Sequence, residues 1–188
     1  MTRILRRVAA VTTMCLVAAS GAAGKSRPDA DVSVRETSKG VYQVEARFEV
    51  AEPAAAVWAV LTDYANIPRF LKDVRVSIVR ERGDGHARVE QEAVSSFMMF
   101  SRRVHLLLVI AEDGDVLRFR DESGRSFTQY AGSWRVTRQD GRTSVSYELT
   151  AQPSFSVPDF LVARVLGREA NEMIQHLRAE MTRRARLE

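Results

Sequence analysis

The hydrophobic pattern of this chain changes its period three times. From Gly40 to Val50, apolar residues alternate with polar ones, which predicts a half-buried strand. The next segment, PAAAVWAVLTDYANIPRFL (residues 53–71), carries its apolar residues at helical spacing. Pro53 suits the first turn of a helix, whereas Pro68 interrupts one. We therefore predict two short helices joined at residues 63–67.

Alternation returns after residue 71 and continues in six further segments. We predict strands at residues 74–81, 87–94, 102–111, 116–121, 127–138 and 143–151. Turn residues separate several of them, with two-residue turns at Asp113-Gly114 and Asp140-Gly141 and a looser turn at Gly83-Asp84-Gly85. The pattern therefore predicts an antiparallel meander.

The two-residue turns also indicate which residues share a face of the sheet. A turn centred on residues 140 and 141 places Trp134 opposite Tyr147. A turn centred on residues 113 and 114 places Leu108 opposite Phe119. Because apolar residues meet apolar residues in both hairpins, one face of the sheet is expected to be buried.

The last segment returns to helical spacing over residues 157–183. Its apolar residues form one stripe, which predicts a long amphipathic helix that covers the apolar face of the sheet. The stripe consists of Leu161, Val165, Ala170, Met173, Leu177 and Met181. The predicted fold class is α+β, with a curved seven-stranded antiparallel sheet, two short helices after the first strand and a long C-terminal helix.

This order of elements resembles the START-like (SRPBCC) helix-grip superfamily. The resemblance also includes the residues VWAVLTDYANIPRFL, the triplet Gly132-Ser133-Trp134 and the sequence DGRTSVSYEL that follows it. It is strongest to the polyketide cyclase/dehydrase and coenzyme Q-binding branch, and the corresponding domain is assigned to residues 40–184. The resemblance implies a cavity between the sheet and the last helix that holds a sterol, isoprenoid, acyl chain or polyketide.

Strand parity and the helix stripe select the residues expected to line this cavity. Most of them are apolar, and their alternative role is to fill one another's space as a packed core. Gln91 differs, because its amide would need a hydrogen-bond partner among inward-facing apolar residues. The predicted ligand-binding residues are Tyr64, Val76, Ile78, Val89, Gln91, Leu106, Leu108, Phe119, Tyr130, Trp134, Tyr147, Leu161 and Val165.

The first 24 residues predict a secretory signal peptide. Arg3, Arg6 and Arg7 precede an uncharged run over residues 8–19, which is too short to span a bilayer, and small residues follow it. A membrane anchor or a disordered tail are the alternatives. We expect a periplasmic or secreted protein in which residues 25–39 form a flexible lead-in to the domain.

Charge and cysteine content exclude two classes of function. The leader arginines supply +3 of the net charge of +4, so the remainder of the chain is nearly neutral and has no basic field for nucleic acid. The single cysteine, Cys15, lies in the leader, so the mature protein has no thiol or disulfide chemistry. The sequence does not define an oligomeric state.

Few residues are candidates for catalysis. Parity places His86 and His105 on the solvent face, and His176 lies beside the buried helix stripe. Asp63 and Tyr64, at the helix junction near the expected cavity mouth, are the remaining acid/base candidates. No residues have metal-ligand spacing and the glycines lie in hairpins rather than in a phosphate-binding loop, so neither a metal nor a cofactor is predicted.

An apolar run occurs where a turn between two strands is expected. The basic residues Arg102 and Arg103 follow it, so the run could contact anionic lipid or act as a lid over the cavity. The alternative is that the two strands extend further and that these residues fold inward as core. The run consists of Phe97, Met98, Met99 and Phe100.

These observations favour an exported protein that binds an apolar small molecule, such as a lipid, an isoprenoid or quinone, or a polyketide-like compound, and carries out no reaction. An aromatase/cyclase-like or dehydratase-like enzyme is the second hypothesis, because the families that the chain resembles include enzymes. A third is an interaction module with a fully packed interior. Cavity volume separates the third hypothesis from the others, and inward-facing acid/base groups separate the second from the first.

Overall fold

The computed structural model of the protein describes residues 30–97, 100–139, 141–156 and 158–187. The predicted signal peptide, Met98 and Met99 lie outside these described residues. The strands are β1 (Asp31–Ser38), β2 (Val41–Val50), β3 (Val74–Gly83), β4 (His86–Phe97), β5 (Phe100–Asp113), β6 (Val116–Asp121), β7 (Phe127–Gln139) and β8 (Arg142–Pro153). The helices are α1 (Ala54–Leu61), a 3₁₀ turn (Tyr64–Asn66), α2 (Ile67–Phe70) and α3 (Asp159–Ala185).

All described strands belong to one antiparallel sheet, in the order β1-β2-β8-β7-β6-β5-β4-β3. Helix α3 contacts β1 and β2 of the sheet, and it also contacts α1 and α2. The predicted α+β helix-grip fold is therefore confirmed. Among the described residues, no helix has the length and apolar character needed to cross a membrane.

The sheet has eight strands rather than the seven that the sequence predicts. The additional strand is β1, which lies in the segment predicted as a flexible lead-in. Only Val32 and Val34 give it an apolar face, because its other residues are charged or polar, as is common in edge strands. Val34 packs against α3, where a Cβ at Gly167 would lie 3.4 Å from the Val34 Cγ2 atom.

The predicted register is correct for the β7–β8 hairpin and wrong for the β5–β6 hairpin. Trp134 pairs with Tyr147 across β7 and β8, as predicted. In the β5–β6 hairpin, however, Leu108 pairs with Asp121 rather than with Phe119. The turn is centred one residue later, on Gly114 and Asp115, and Gly114 adopts a φ of 56°. The error shifts the register by two residues, so the predicted faces are preserved.

The prediction that Val76 and Ile78 face the cavity is wrong. In β3, Arg80 is an extra residue that the pairing with β4 skips. This β-bulge reverses the faces of the preceding residues, because side chains alternate along a strand. Ser77 therefore lies opposite Gln91 on the inner side, whereas Ile78 is 40% exposed on the outer side.

The β4–β5 hairpin extends further than the predicted strands. β4 continues to Phe97 and β5 begins at Phe100, and these two residues pair with each other. The backbone thus follows the alternative in which the strands extend. A membrane or lid contact by this run remains a prediction, because its tip lies outside the described residues.

The most deeply buried side chains of the helices lie in α1 and in the C-terminal half of α3. Val57 and Val60 of α1 and Ile174 and Met181 of α3 are at most 1% exposed. They belong to one core cluster with the inner residues of the sheet. The N-terminal half of α3 is less deeply buried, since its inward side chains Leu161 and Val165 retain accessible surface.

Candidate functional site

A cavity of about 700 Å³ lies between the inner face of the sheet and α3. Strands β4 to β8 form one wall, and the inward side of α3 forms the other. The segment of the short helices contributes a third group of residues, which includes Tyr64, Ile67 and Phe70. Apolar side chains make up most of this lining.

The structure brings most of the predicted ligand-binding residues to this cavity. The predicted residues that line it are Tyr64, Gln91, Leu106, Leu108, Phe119, Tyr130, Trp134, Tyr147, Leu161 and Val165. Val89 is completely buried in the core and is not part of the lining. Val76 and Ile78 lie on the opposite face for the reason given above.

Aromatic rings form a continuous part of the sheet wall. The ring centroids of Trp134 and Tyr147 are 4.4 Å apart, and those of Phe119 and Tyr147 are 6.3 Å apart. Tyr130 contacts both Phe119, at 6.0 Å, and Phe127, at 4.8 Å. These rings present a rigid apolar surface, while the tyrosine hydroxyls add polar atoms to it.

Glu169 of α3 places a carboxyl group in this apolar lining. The Ser95 hydroxyl donates a hydrogen bond to its Oε1 atom. Burial raises the pKa of Glu169, and repulsion from Asp73 and Glu172 acts in the same direction, whereas the Ser95 hydrogen bond and Arg168 oppose the shift. Burial thus favours the protonated form of this carboxyl group more than solvent would.

Tyr130 and Tyr147 also line the cavity, close enough to this carboxyl group for its charge to act on both hydroxyls. Burial raises the pKa of Tyr130 to about 12, and the charge of Glu169 also raises it. Burial likewise raises the pKa of Tyr147 well above its usual value.

His176, which the sequence places beside the buried helix stripe, also lines the cavity. It lies seven positions after Glu169, which corresponds to about two helical turns and about 10 Å along the axis. The remaining histidines lie on the outer side, where His105 Nε2 is 2.9 Å from Glu90 and the His86 ring contacts the Asp84 carbonyl.

A sequence signal for Glu169 exists, although the apolar stripe did not select it. Glu169 lies four residues after Val165 and four before Met173, so it occupies the stripe itself. His176 follows Met173 by three residues and shares the same side of the helix. A stripe defined by position rather than by apolar character would have included both residues.

The two acid/base candidates from the sequence have structural partners. Asp63 is not part of the lining, and its Oδ2 atom is 2.7 Å from Nη2 of Arg184. Tyr64 lines the cavity, but its hydroxyl donates a 2.7 Å hydrogen bond to Glu112. Burial and this hydrogen bond raise the pKa of Tyr64 above its usual value, so its hydroxyl is poorly suited to act as a base.

Gln91 has the polar partner that its position requires. Its Nε2 atom donates to Ser77 Oγ at 3.3 Å, and the Ser77 hydroxyl donates to the Tyr64 carbonyl at 2.6 Å. The bulge in β3 creates this contact, since it moves Ser77 to the inner side. The amide is thus partly satisfied within the protein.

Exposed lining residues mark where the cavity meets solvent. Arg102 of β5 and Phe155, which follows β8, meet across this opening, with the guanidinium carbon 3.6 Å from the ring centroid. This cation–π contact joins the β4–β5 hairpin to the segment that precedes α3. The exposed lining residues are Lys72, Asp73, Ser101, Arg102, Ser156 and Pro158.

Within the described part of the chain, no group of three or more histidine, cysteine, aspartate or glutamate residues could hold a metal ion. The polar side chains that line the cavity include Glu169, Ser95, His176, Tyr130 and Tyr147. These groups can bind a polar substituent of an otherwise apolar ligand, or transfer a proton to or from it.

Solved structures with similar folds include both enzymes and lipid-transfer proteins. The Zhui aromatase/cyclase from Streptomyces sp. R1128 is 19% identical, with a TM-score of 0.66 over 77% of this chain and 96% of that one. The STAR-related lipid transfer protein from Xanthomonas axonopodis is 16% identical, with a TM-score of 0.63 over 80% and 98%. Human STARD10 is 14% identical, with a TM-score of 0.67 over 84% and 71%.

At these identities the solved structures show a shared fold. No match was found among curated proteins. The family model described as polyketide cyclase/dehydrase and lipid transport matches residues 42–182, which include the sheet from the second residue of β2 onward, both short helices and most of α3. The chain therefore belongs to the polyketide cyclase/dehydrase and lipid transport family.

Proposed function

We propose that the protein is an exported binding protein that holds one apolar small molecule between the sheet and α3. The observation that supports this function best is the cavity of about 700 Å³ with mainly apolar walls. Pockets that bind small molecules typically measure about 300–1,000 Å³. A fully packed interaction module would not leave such a volume, because protein interiors contain few voids larger than a water molecule.

Family membership supports the same class of ligand. The family description combines polyketide cyclases and dehydrases with lipid transport, and the similar structures include a STAR-related lipid transfer protein and an aromatase/cyclase. Lipids and polyketides are both large molecules with extensive apolar surface. We favour binding without a reaction, because Asp63 and Tyr64 are engaged in structural contacts.

An enzyme of the aromatase/cyclase type is the second candidate, and the position of Glu169 and His176 in the cavity favours it. A carboxyl group with a raised pKa and a histidine are common general acids and bases. Incubation with a polyketide-like compound, followed by mass spectrometry, separates the two functions. Recovery of the unchanged compound supports binding, whereas a dehydrated product that Glu169→Gln fails to form supports the enzyme.

Export is part of this proposal and rests on the signal-peptide pattern of residues 1–24. We expect cleavage near residues 22–25, which would place the mature protein in the periplasm or outside the cell. The intact mass of protein recovered from each cell fraction tests this expectation. An uncleaved cytoplasmic chain as the sole form would contradict it.

Transient contact with a membrane is proposed from the apolar run at residues 97–100. Arg102 and Arg103 are exposed next to it and could contact anionic headgroups. The double substitution Met98→Ser and Met99→Ser should weaken binding to vesicles that contain phosphatidylglycerol while the melting temperature stays unchanged. A large loss of stability would instead show that these residues are core.

Trp134 provides a direct test of ligand binding, because it lines the cavity. In a Trp58→Phe background its emission should shift on titration with apolar compounds such as farnesol, palmitate, a quinone or a sterol. Val165→Phe should weaken binding at least tenfold with little loss of stability, since it fills empty space. In a packed core the same substitution would cost about 1–3 kcal/mol.

Ala163→Phe is the matched control for this experiment. Ala163 lies on the same turn of α3 as Val165 but does not line the cavity. It should leave affinity unchanged. A failure of every compound to change the Trp134 emission, together with destabilisation by Val165→Phe, would contradict the proposed function.

A further inference from the structure

We infer that the ligand is a single extended hydrocarbon chain, which lies along β5 and α3 with its polar end at the opening of the cavity. This inference rests on the proposed binding function, because it names the class of molecule that the same site holds. It follows from the length of the cavity, from its volume and from the positions of its charged residues.

The cavity is elongated, because its two walls run between the same two ends. At the opening, Arg102 of β5 contacts the segment that precedes α3. At the other end, the Tyr64 hydroxyl donates a 2.7 Å hydrogen bond to Glu112, near the end of β5. Asp63, the preceding residue, lies 2.7 Å from Arg184, near the end of α3. Strand β5 and helix α3 therefore both extend from the opening to the 3₁₀ turn.

The two walls also have about the same length. On α3 the lining residues extend from Leu161 to Leu177, which is about 24 Å at the rise of an α-helix. On β5 they extend from Arg102 to Ile110, which is about 26 Å at the rise of a strand. A carbon chain with bonds of about 1.5 Å advances about 1.3 Å per carbon when extended, so about 18–20 carbons span this length.

The volume of the cavity corresponds to a similar number of atoms. A water molecule takes up about 30 Å³ of liquid volume, and a methylene group is about as large, so the cavity of about 700 Å³ holds about 23 such groups. Because the counts from length and from volume nearly agree, a ligand that fills both is one carbon chain wide. A fused-ring compound of this volume would be wider and shorter, and a lipid with two such chains would need about twice the volume.

The charged residues of the lining lie at the opening. Within the described part of the chain, the lysine, arginine, aspartate and glutamate residues that line the cavity are Lys72, Asp73, Arg102 and Glu169. The first three are exposed there. Glu169 lies close to them, since Ser95 donates a hydrogen bond to it and pairs with Arg102 across the β4–β5 hairpin. A polar group of the ligand would meet water or charged partners at this end.

The opposite end of the cavity is buried and apolar. Leu61, Ile110 and Leu117 line it and are at most 8% exposed. The Tyr64 hydroxyl already has its partner in β5, so a polar group of the ligand would have few partners there and its burial would be costly. An apolar chain end is instead stabilised by burial. Trp134 lies at this end, because it pairs with Leu117.

A bromine atom at either end of a chain tests the orientation, because it quenches tryptophan emission only at close range. In the Trp58→Phe background, saturating hexadecanol that is brominated at its terminal carbon should quench Trp134 strongly. Hexadecanol brominated beside its hydroxyl should leave the emission close to that with unbrominated hexadecanol. Equal quenching by the two compounds, or stronger quenching by the second, would overturn the orientation.

A series of straight-chain alcohols tests the length. Their affinity, measured from Trp134 emission, should rise about fourfold with each added methylene group, which is the effect of burying it. The rise should end at about 18–20 carbons, where the chain fills the cavity. A sterol and a phosphatidylcholine with two long chains should both bind more weakly than octadecanol. An affinity that rises without a limit up to 24 carbons would overturn the assigned length.

Ile110→Phe tests where the chain ends, because the larger ring occupies the buried end of the cavity. It should move the limit to chains that are about two carbons shorter. Ala111→Phe is the matched control, since Ala111 is the next residue of β5 but is exposed and does not line the cavity. It should leave the limit unchanged. Leu117→Phe occupies the same end and serves if Ile110→Phe fails to fold.

The outcomes distinguish this inference from the function on which it rests. Tightest binding of the sterol or of the phosphatidylcholine would overturn the single chain but would support the proposed function. A limit that neither Ile110→Phe nor Leu117→Phe moves would overturn the position of the chain along β5. If none of the alcohols, the sterol or the phosphatidylcholine binds, the proposed function itself is wrong.

Discussion

Two glutamates on the inward side of α3 lie in opposite environments. Glu180 accepts hydrogen bonds from Arg183 and Arg184, which lower its pKa to about 2. Glu169, three turns earlier, has a single serine partner and a pKa raised by burial. The C-terminal half of the helix therefore compensates its buried charge within the protein, whereas the N-terminal half leaves a charge available to a ligand.

The same division appears in the packing of the helix. Near its C-terminus, Arg184 binds Asp63 and donates to the Ala59 carbonyl at 3.2 Å, which ties α3 to the segment of α1 and the 3₁₀ turn. Thr182 donates to Glu52 at 2.6 Å. Val165 instead faces open volume. One half of α3 thus holds the fold together, while the other half forms the cavity wall.

The largest expected effect on stability is found when two side chains of α3 are truncated and compared. Ile174→Ala should lower the free energy of unfolding by about 2–5 kcal/mol, because Ile174 is fully buried and leaves a new void. Val165→Ala should cost less than about 1 kcal/mol, since Val165 already borders the cavity. Urea unfolding measures both values. Equal losses would show that the two halves of the helix are packed alike.

The ion pair of Arg184 and Asp63 should stabilise the contact between the C-terminal half of α3 and the short helices. Arg184→Met should destabilise the protein by about 1–3 kcal/mol, because it removes hydrogen bonds to the carboxylates of Asp63 and Glu180. Arg35→Met is the control, since the exposed pair of Arg35 and Glu45 should contribute less than about 1 kcal/mol. A double-mutant cycle of Arg184→Met with Asp63→Asn isolates their coupling. Additive effects would contradict the assigned contact.

The contribution of Glu180 to the free energy of unfolding should depend on pH. Because its folded pKa of about 2 lies below the ordinary value of 4.5, its carboxylate stabilises the fold above pH 4.5 and loses this effect as the pH falls toward 2. Urea unfolding between pH 2.5 and 7 measures the free energy of unfolding of the parent protein and of Glu180→Gln. Glu180→Gln should be less stable than the parent protein at pH 7, and the difference should narrow in acid.

Glu169 should show the opposite and smaller effect. Its folded pKa is raised, so its contribution to stability is present below pH 4.5 and is lost as the pH rises through the folded pKa. Asp73 and Glu172 strengthen this trend, Ser95 and Arg168 oppose it, and Tyr130 and Tyr147 remain neutral throughout. Glu169→Gln should therefore be more stable than the parent at pH 7 but not at pH 4. Lower stability at pH 7 would contradict the account.

Much of the fold could be predicted because its turns have strong local signals. The Asp140-Gly141 turn gave the correct pairing of β7 with β8, and proline placement located the short helices. Strand β1 was missed because its two valines are a weak signal, and its stability depends on pairing with β2 and contact with α3. The predicted faces of β3 were wrong because the local sequence contains no signal for the bulge at Arg80.

The candidate site was predicted less completely, for a physical reason. Hydrophobic patterning identifies inward residues such as Trp134 and Leu108, but a packed core and a cavity wall have the same pattern. Only the three-dimensional arrangement determines whether the sheet and α3 leave a volume between them. Glu169 was missed because a charge on a buried stripe is disfavoured on average, and sites with a function are the common exceptions.

Native mass spectrometry of the protein purified from its own host tests the central claim most directly. We predict a mass that exceeds the polypeptide by one apolar molecule, which organic solvent releases and which the Val165→Phe variant does not retain. The Ala163→Phe variant should keep the adduct. The polypeptide mass alone, from folded protein in all three cases, would contradict the claim that this cavity holds a ligand.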